Sequence, residues 1–123
     1  MINAAAILMI AALMAVLDLP WLLVQGPWVR DFVEDIQGGR TMQTRLWAGV
    51  PVYLALGYLV TQMQSAPRAF LAGMCTYAVY DFTQVFALDR YPVTFAVADT
   101  LWGGVLMAVT WWVANHFGIL KIN

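Results

Sequence analysis

Four long apolar tracts, separated by short polar segments, leave this chain few ways to fold. They run over about residues 2–24, 46–63, 69–88 and 93–117. Each approaches the ~20 residues that a helix needs to cross the hydrocarbon core of a bilayer. The tracts are continuous rather than alternating, which favours spanning helices over barrel strands. None carries the charged face of a helix in a soluble bundle. Only 11% of residues are charged and 63% are hydrophobic, against roughly 25% charged in soluble domains. The first tract could instead be a signal peptide. It has no basic residue before its apolar run, however, and Asp18, Pro20 and Trp21 make a poor cleavage region. The expected architecture is all-α, an integral-membrane bundle of four transmembrane helices forming one domain over residues 1–123. It would sit as a multi-pass protein in a bacterial inner membrane, with membrane lipid around it.

Several function classes fall away. A net charge of −1 offers no basic patch for nucleic acid. Cys75 is the only cysteine and lies in the third tract, so no intrachain disulfide forms and a packing role is expected. His116 is the only histidine, near the end of the fourth tract, where interfacial anchoring is the expectation. One histidine and one cysteine make no zinc set, so no metal is expected. Nor is any cofactor, since there is no phosphate loop, nucleophile elbow or paired-histidine motif. Trp28, Trp47, Trp111 and Trp112 lie toward tract ends and fit an aromatic belt.

The connections order the tracts. The longest, residues 25–45, opens with Gly26-Pro27 and contains Gly38-Gly39, both strong breakers. Between them Trp28, Phe32 and Ile36 recur at helical spacing. Two readings stay open: a short amphipathic helix lying in the interface, or an extension of the first span, because Pro27 can start a helix as well as end one. Residues 64–68 form a tight turn. A second tight turn, Asp89-Arg90-Tyr91-Pro92, is expected to hold a solvated Asp89–Arg90 ion pair.

Three aspartates stand within the apolar tracts, each after the same dipeptide: Ala15-Val16-Leu17-Asp18, Ala78-Val79-Tyr80-Asp81 and Ala96-Val97-Ala98-Asp99. A carboxylate within a span costs roughly 2.5–3.5 kcal/mol on insertion scales. In an antiparallel four-span arrangement each lies six or seven residues, roughly 9 Å at 1.5 Å per residue, below one membrane surface. The second tract contributes Pro51 and Tyr53 to that layer. Helical spacing puts Ala11, Met14, Ala15, Trp21 and Gln25 on the face of Asp18; Tyr77, Ala78 and Gln84 on that of Asp81; and Ala96, Trp102, Gly103 and Thr110 on that of Asp99. Such mixtures of small, aromatic and polar residues belong in a bundle interior.

Three carboxyl groups in one layer need compensation, and no Lys or Arg lies within a span. Shared protons, a cation, a basic ligand or hydrogen-bond donors would supply it. The donors in range are Trp21, Tyr53, Tyr77, Tyr80, Thr83, Gln84 and Trp102. Either the aspartates only join helices through these donors, or they build a ligand, ion or proton site.

The elements Asp18-x-x-Trp21-Leu22, Thr76-Tyr77…Tyr80-Asp81-Phe82-Thr83-Gln84 and Asp99-x-x-Trp102-Gly103 together resemble the predicted-membrane-protein family numbered 2177 among the domains of unknown function. The likeness covers nearly the whole chain. Phe82 and Gln84 stand where that pattern favours Leu and Asn. The resemblance implies four spans and marks Asp18, Trp21, Tyr80, Asp81, Thr83, Asp99 and Trp102 as characteristic positions. It implies no activity.

Arg30, Arg40, Arg45 and Arg90 fall on one side of the expected topology, and Arg68 and Lys121 on the other. The positive-inside rule then puts the first and third connections in the cytoplasm. Three function classes stay open. The first is a binding or accessory module whose aspartate and tryptophan layer holds a small amphiphile or a partner's helix, alone or in a larger membrane complex. The second is a proton- or cation-coupled small transporter working as a homodimer, although the first-span glutamate of small multidrug exporters is missing. The third is a membrane-embedded enzyme of lipid or isoprenoid chemistry, using one aspartate as acid and another as base.

Overall fold

The computed structural model describes residues 3–121. Ile2, where the first tract was expected to begin, lies outside them. Among the described residues the protein is all-helical. Helix α1 covers Ala4–Ile36, α2 Gly49–Thr61, α3 Ala66–Ala87 and α4 Val93–His116. Single 3₁₀ turns precede α2 at Leu46–Ala48 and follow α4 at Ile119–Lys121. The Asn3 side chain caps α1 by accepting from the Ala6 amide at 3.1 Å, and Ser65 caps α3 through the Arg68 amide.

Of the two readings of residues 25–36, the extension is the one found: α1 runs unbroken through Pro20 and Pro27. Each proline lacks the amide that would close a helical hydrogen bond, which frees the carbonyls of Val16 and Leu23. Aromatic contacts hold the extension in place. Trp28 meets Phe95 edge-on at 5.1 Å between ring centres, and Phe32 packs on Phe95 and Tyr91 at 5.0 and 5.2 Å. The Trp28/Phe32 stripe therefore covers the start of α4 instead of lying on a lipid surface. At 1.5 Å per residue α1 is about 50 Å long, well beyond the ~30 Å hydrocarbon core. Gly38 and Gly39, at φ 70° and 89°, end it.

Two helices, α1 and α4, are long and apolar enough to cross a membrane. The stretch Leu46–Thr61 is a shorter apolar helix. Helix α3 has the length, at 22 residues, but its apolar run is interrupted by Arg68, Thr76, Asp81, Thr83 and Gln84. The expected Asp89–Arg90 pair does not form. Arg90 sits at φ 68°, and its guanidinium meets Asp35 of α1 at 3.2 Å, with both side chains mostly exposed. Such a surface pair contributes little. Cys75 is exposed, so it does not pack in the interior as expected.

Contacts between elements are unequal. Helices α3 and α4 pack most extensively, α1 lies on α2 and α4, and α2 and α3 scarcely touch. Glycines explain the tight pair. A methyl group at Gly73 would overlap the Gly103 carbonyl, and one at Gly103 would overlap the Tyr77 side chain. At Gly104 it would come within 2.7 Å of Met74 Cγ. Ile10, Met14, Leu56, Val60, Leu106 and Met107 fill the interior on the far side of the aspartates.

Gly73→Ala is therefore expected to destabilise the bundle by about 1–3 kcal/mol through overpacking. Gly26→Ala, whose added methyl meets nothing within 4 Å, should be neutral or stabilise α1 by about 0.5–1 kcal/mol. Reversible unfolding in mixed micelles compares the two.

Candidate functional site

Asp18, Asp81 and Asp99 are all buried, at 5%, 0% and 8% exposure. Spacing explains the first contact. In both Asp18-x-x-Trp21 and Asp99-x-x-Trp102, a separation of three residues places acid and indole on one helix face, about 4.5 Å apart along the axis. Helices α1 and α4 run antiparallel, so each indole stands level with the other helix's acid. The Trp21 indole donates to Asp99 Oδ1 at 2.8 Å, and the Trp102 indole donates to Asp18 Oδ1 at 2.6 Å. The two rings stack at 6.0 Å and 26°. The result is a reciprocal clasp between the first and last helices.

Further donors come from elsewhere. Tyr53 of α2 donates its hydroxyl to Asp18 Oδ2 at 2.5 Å, so both oxygens of Asp18 are satisfied. Tyr91, in the turn before α4, donates to Asp81 Oδ1 at 2.8 Å. Burial, and then the Asp81 carboxyl that it meets, push the Tyr91 phenol well above its ordinary value. It stays protonated and remains a donor. The Asp81 carboxyl also comes within hydrogen-bonding reach of Asp99, while Asp81 Oδ2 has no donor among the described residues.

The remaining sequence candidates divide. Tyr77 is half-buried against Gly103 and lines two cavities. Tyr80 is 58% exposed, with its ring at the rim. Thr83 turns outward and donates to the Val79 carbonyl of its own helix. It lies two residues from Asp81, on nearly the opposite helix face. Gln84 is half-buried. Two residues were missing from the donor and acceptor set drawn from the sequence. Tyr91 sits in a turn, where helical spacing carries no signal. Gln25 shares the face of Asp18 by helical spacing, and its buried Oε1 lacks a partner among the described residues.

Three cavities meet at Asp99. One, of about 360 Å³, is walled by Asp18, Trp21, Gln25, Tyr53, Tyr77 and Asp99, with Leu22, Ala48, Gly49 and Val52. A second, of about 400 Å³, opens between α2 and α3 along Val52, Ala55, Leu56, Leu59, Thr76, Tyr77 and Tyr80. A third, of about 170 Å³, lies toward the α1 extension among Gln25, Phe32, Tyr91 and Phe95. No group of three or more metal-binding side chains is present among the described residues.

Removing either indole donor leaves a buried carboxylate oxygen short of a partner. Trp21→Phe and Trp102→Phe should each lower stability by about 1–3 kcal/mol. Because the rings also stack on each other, the double variant should be non-additive by about 0.5–3 kcal/mol. A double-mutant cycle by unfolding in micelles measures both quantities.

The family model described as Predicted membrane protein (DUF2177) matches residues 3–116. No curated protein and no solved structure matches the chain. All three aspartates and both clasp tryptophans fall within the matched stretch, and the chain belongs to this membrane-protein family of unknown function.

Proposed function

We propose that this protein is a multi-pass membrane binding module that holds one small amphiphile beside its aspartate and tryptophan layer. One observation carries the reading. The cavity at Asp18 and the cleft between α2 and α3 share Val52, Tyr77 and Asp99 as walls, and so adjoin as two parts of one site in this reading. The first part offers carboxylate, amide, phenol and indole groups to a polar head. The second is an aliphatic slot that suits a chain. Volumes of this order match small-molecule sites. They are too small for a partner's helix, which is about 10–12 Å across with its side chains.

In this reading all four helices cross the bilayer. With its preceding turn α2 is about 24 Å long, short for a span but within reach through local thinning of the bilayer. The slot between α2 and α3 then opens sideways into lipid, and an amphiphile enters without leaving the membrane. A transport reading, with the chain working as a homodimer, draws on the third cavity. That cavity continues from Asp99 toward the α3–α4 turn, so one carboxyl borders both the lateral slot and a route to the surface.

Ala55 is exposed and lines the slot without contributing to the core. Ala55→Trp should fill the slot and weaken binding of alkyl amphiphiles by about tenfold or more, with unfolding unchanged. Titration of alkyl probes into protein held in phosphatidylcholine nanodiscs reads this. Equal affinity of the variant and wild type would place the ligand elsewhere or nowhere.

A further inference from the structure

The three carboxyl groups are not equivalent. Asp18 has a donor on each oxygen, from Tyr53 and Trp102, and so is committed to holding helices together. Asp81 is fully buried, borders none of the three cavities that meet at Asp99, and has one oxygen with no donor. That carboxyl stands within hydrogen-bonding reach of Asp99. Two carboxylates cannot approach so closely with both ionised, and one proton between them removes the repulsion. The titratable groups around the pair are Asp18, Tyr77, Tyr80 and Tyr91. None is a cation.

Position decides which member holds the proton. Asp99 accepts from the Trp21 indole and borders all three cavities, so a charge there is hydrogen-bonded and open to a ligand. A charge on Asp81 would be sealed away with one oxygen bare. The proton therefore belongs on Asp81, whose hydroxyl donates to Asp99. Asp18, on the wall of the same cavity, has both oxygens occupied by donors, so the acceptors left to a ligand in the head-group cavity are the Asp99 carboxylate and the unpartnered Gln25 Oε1. No basic side chain among the described residues lines that cavity. A carboxylate and an amide oxygen left to a ligand call for a head group with one positive charge and more than one N–H donor.

We propose that the site takes a primary-ammonium amphiphile, with Asp99 as its counter-anion and Asp81 as the positioning residue that holds one proton for Asp99. This rests on the binding-module reading and adds the chemical class of the ligand and the division of labour among the acids.

Dodecylammonium and dodecanol share a chain and differ in the head, so they separate the two ideas. Both are titrated into wild type, Ala55→Trp, Asp99→Asn and Asp81→Asn in phosphatidylcholine nanodiscs, with the same discs lacking protein as baseline. Wild type should bind the amine at least about tenfold more tightly than the alcohol. Asp99→Asn should bring that ratio to about one. Asp81→Asn should keep the ratio within about threefold of wild type, because an amide N–H replaces the carboxyl hydroxyl as donor to Asp99. Infrared difference spectra between wild type and Asp81→Asn should show a protonated-carboxyl C=O band that the variant lacks.

Failure of either idea has its own signature. Equal affinity for amine and alcohol in wild type, with Ala55→Trp weakening both, overturns the ammonium assignment and leaves the binding reading intact. No binding of either probe overturns both. Loss of the amine preference in folded Asp81→Asn, or absence of the infrared band, overturns the role given to Asp81. If Asp99→Asn does not fold, the probe ratio in wild type and Asp81→Asn, together with the infrared band, decides the matter.

Discussion

Burying three carboxyl groups without a single facing cation is the constraint around which this bundle is organised. A carboxylate taken out of water without partners costs several kcal/mol at least. The chain compensates with donors on aromatic side chains, which are large enough to pack and polar at one point. The Trp21–Asp99 and Trp102–Asp18 bonds are made together or not at all. A slide of α1 along α4 by one residue, about 1.5 Å, would strain both, and a parallel arrangement would make neither. The clasp therefore specifies both direction and register for the first and last helices. Tyr53 then ties α2 to the same acid, and Tyr91 ties the α3–α4 turn to Asp81.

Around this layer the bundle has a dense side and an open side. Gly73, Gly103 and Gly104 let α3 and α4 approach until backbone meets backbone and ring. Close packing of this kind is what holds helices together wherever the surroundings are as apolar as the helices themselves. Helix α2 has a weaker hold. It contacts α1 through Gly57, where an added methyl would lie 3.0 Å from the Ile7 carbonyl, and it hangs a further bond at its end, where the Trp111 indole donates to the Met63 carbonyl at 2.9 Å. Between α2 and α3 almost nothing is shared, and the slot is the consequence. A rigid α3–α4 pair that carries Asp81 and Asp99 thus faces a less constrained α2. The two acids are thereby fixed on the closely packed side of the slot.

The long α1 extends this plan past the aspartate layer. Its last turns lie over the start of α4, where Trp28 and Phe32 enclose Phe95 and Tyr91. This cover seals Asp81 from the surface side, and it explains how a tyrosine in a turn can serve as a half-buried donor. The Arg90–Asp35 pair at the rim adds little energy, but it marks where the extension meets the turn.

Much of this was legible in the residues themselves. Apolar tract length required helices, and counting residues to the nearest turns placed the three aspartates in one layer. Periodicity put Trp21, Gln25, Tyr77 and Trp102 on the aspartate faces. These are local properties, set by the rise and pitch of a helix. The rest depended on contacts between helices that no local pattern encodes. Proximity in sequence nominated Thr83, but two residues of helix turn it away from Asp81. Tyr91, in a turn, had no periodicity to follow, and it became a partner of Asp81 only because the α1 extension covers it. Whether Pro27 would begin a new helix or be absorbed into α1 rested on whether Phe95 stood ready to receive Trp28 and Phe32. The sequence by itself determined an all-helical chain with buried acids at one depth, because helix geometry and the cost of bare charge act along each segment. Only the tertiary structure decided which indole meets which acid, which acid is left with a bare oxygen, and where α2 parts from α3 to open a slot, because those follow from the register and spacing of helices packed against one another.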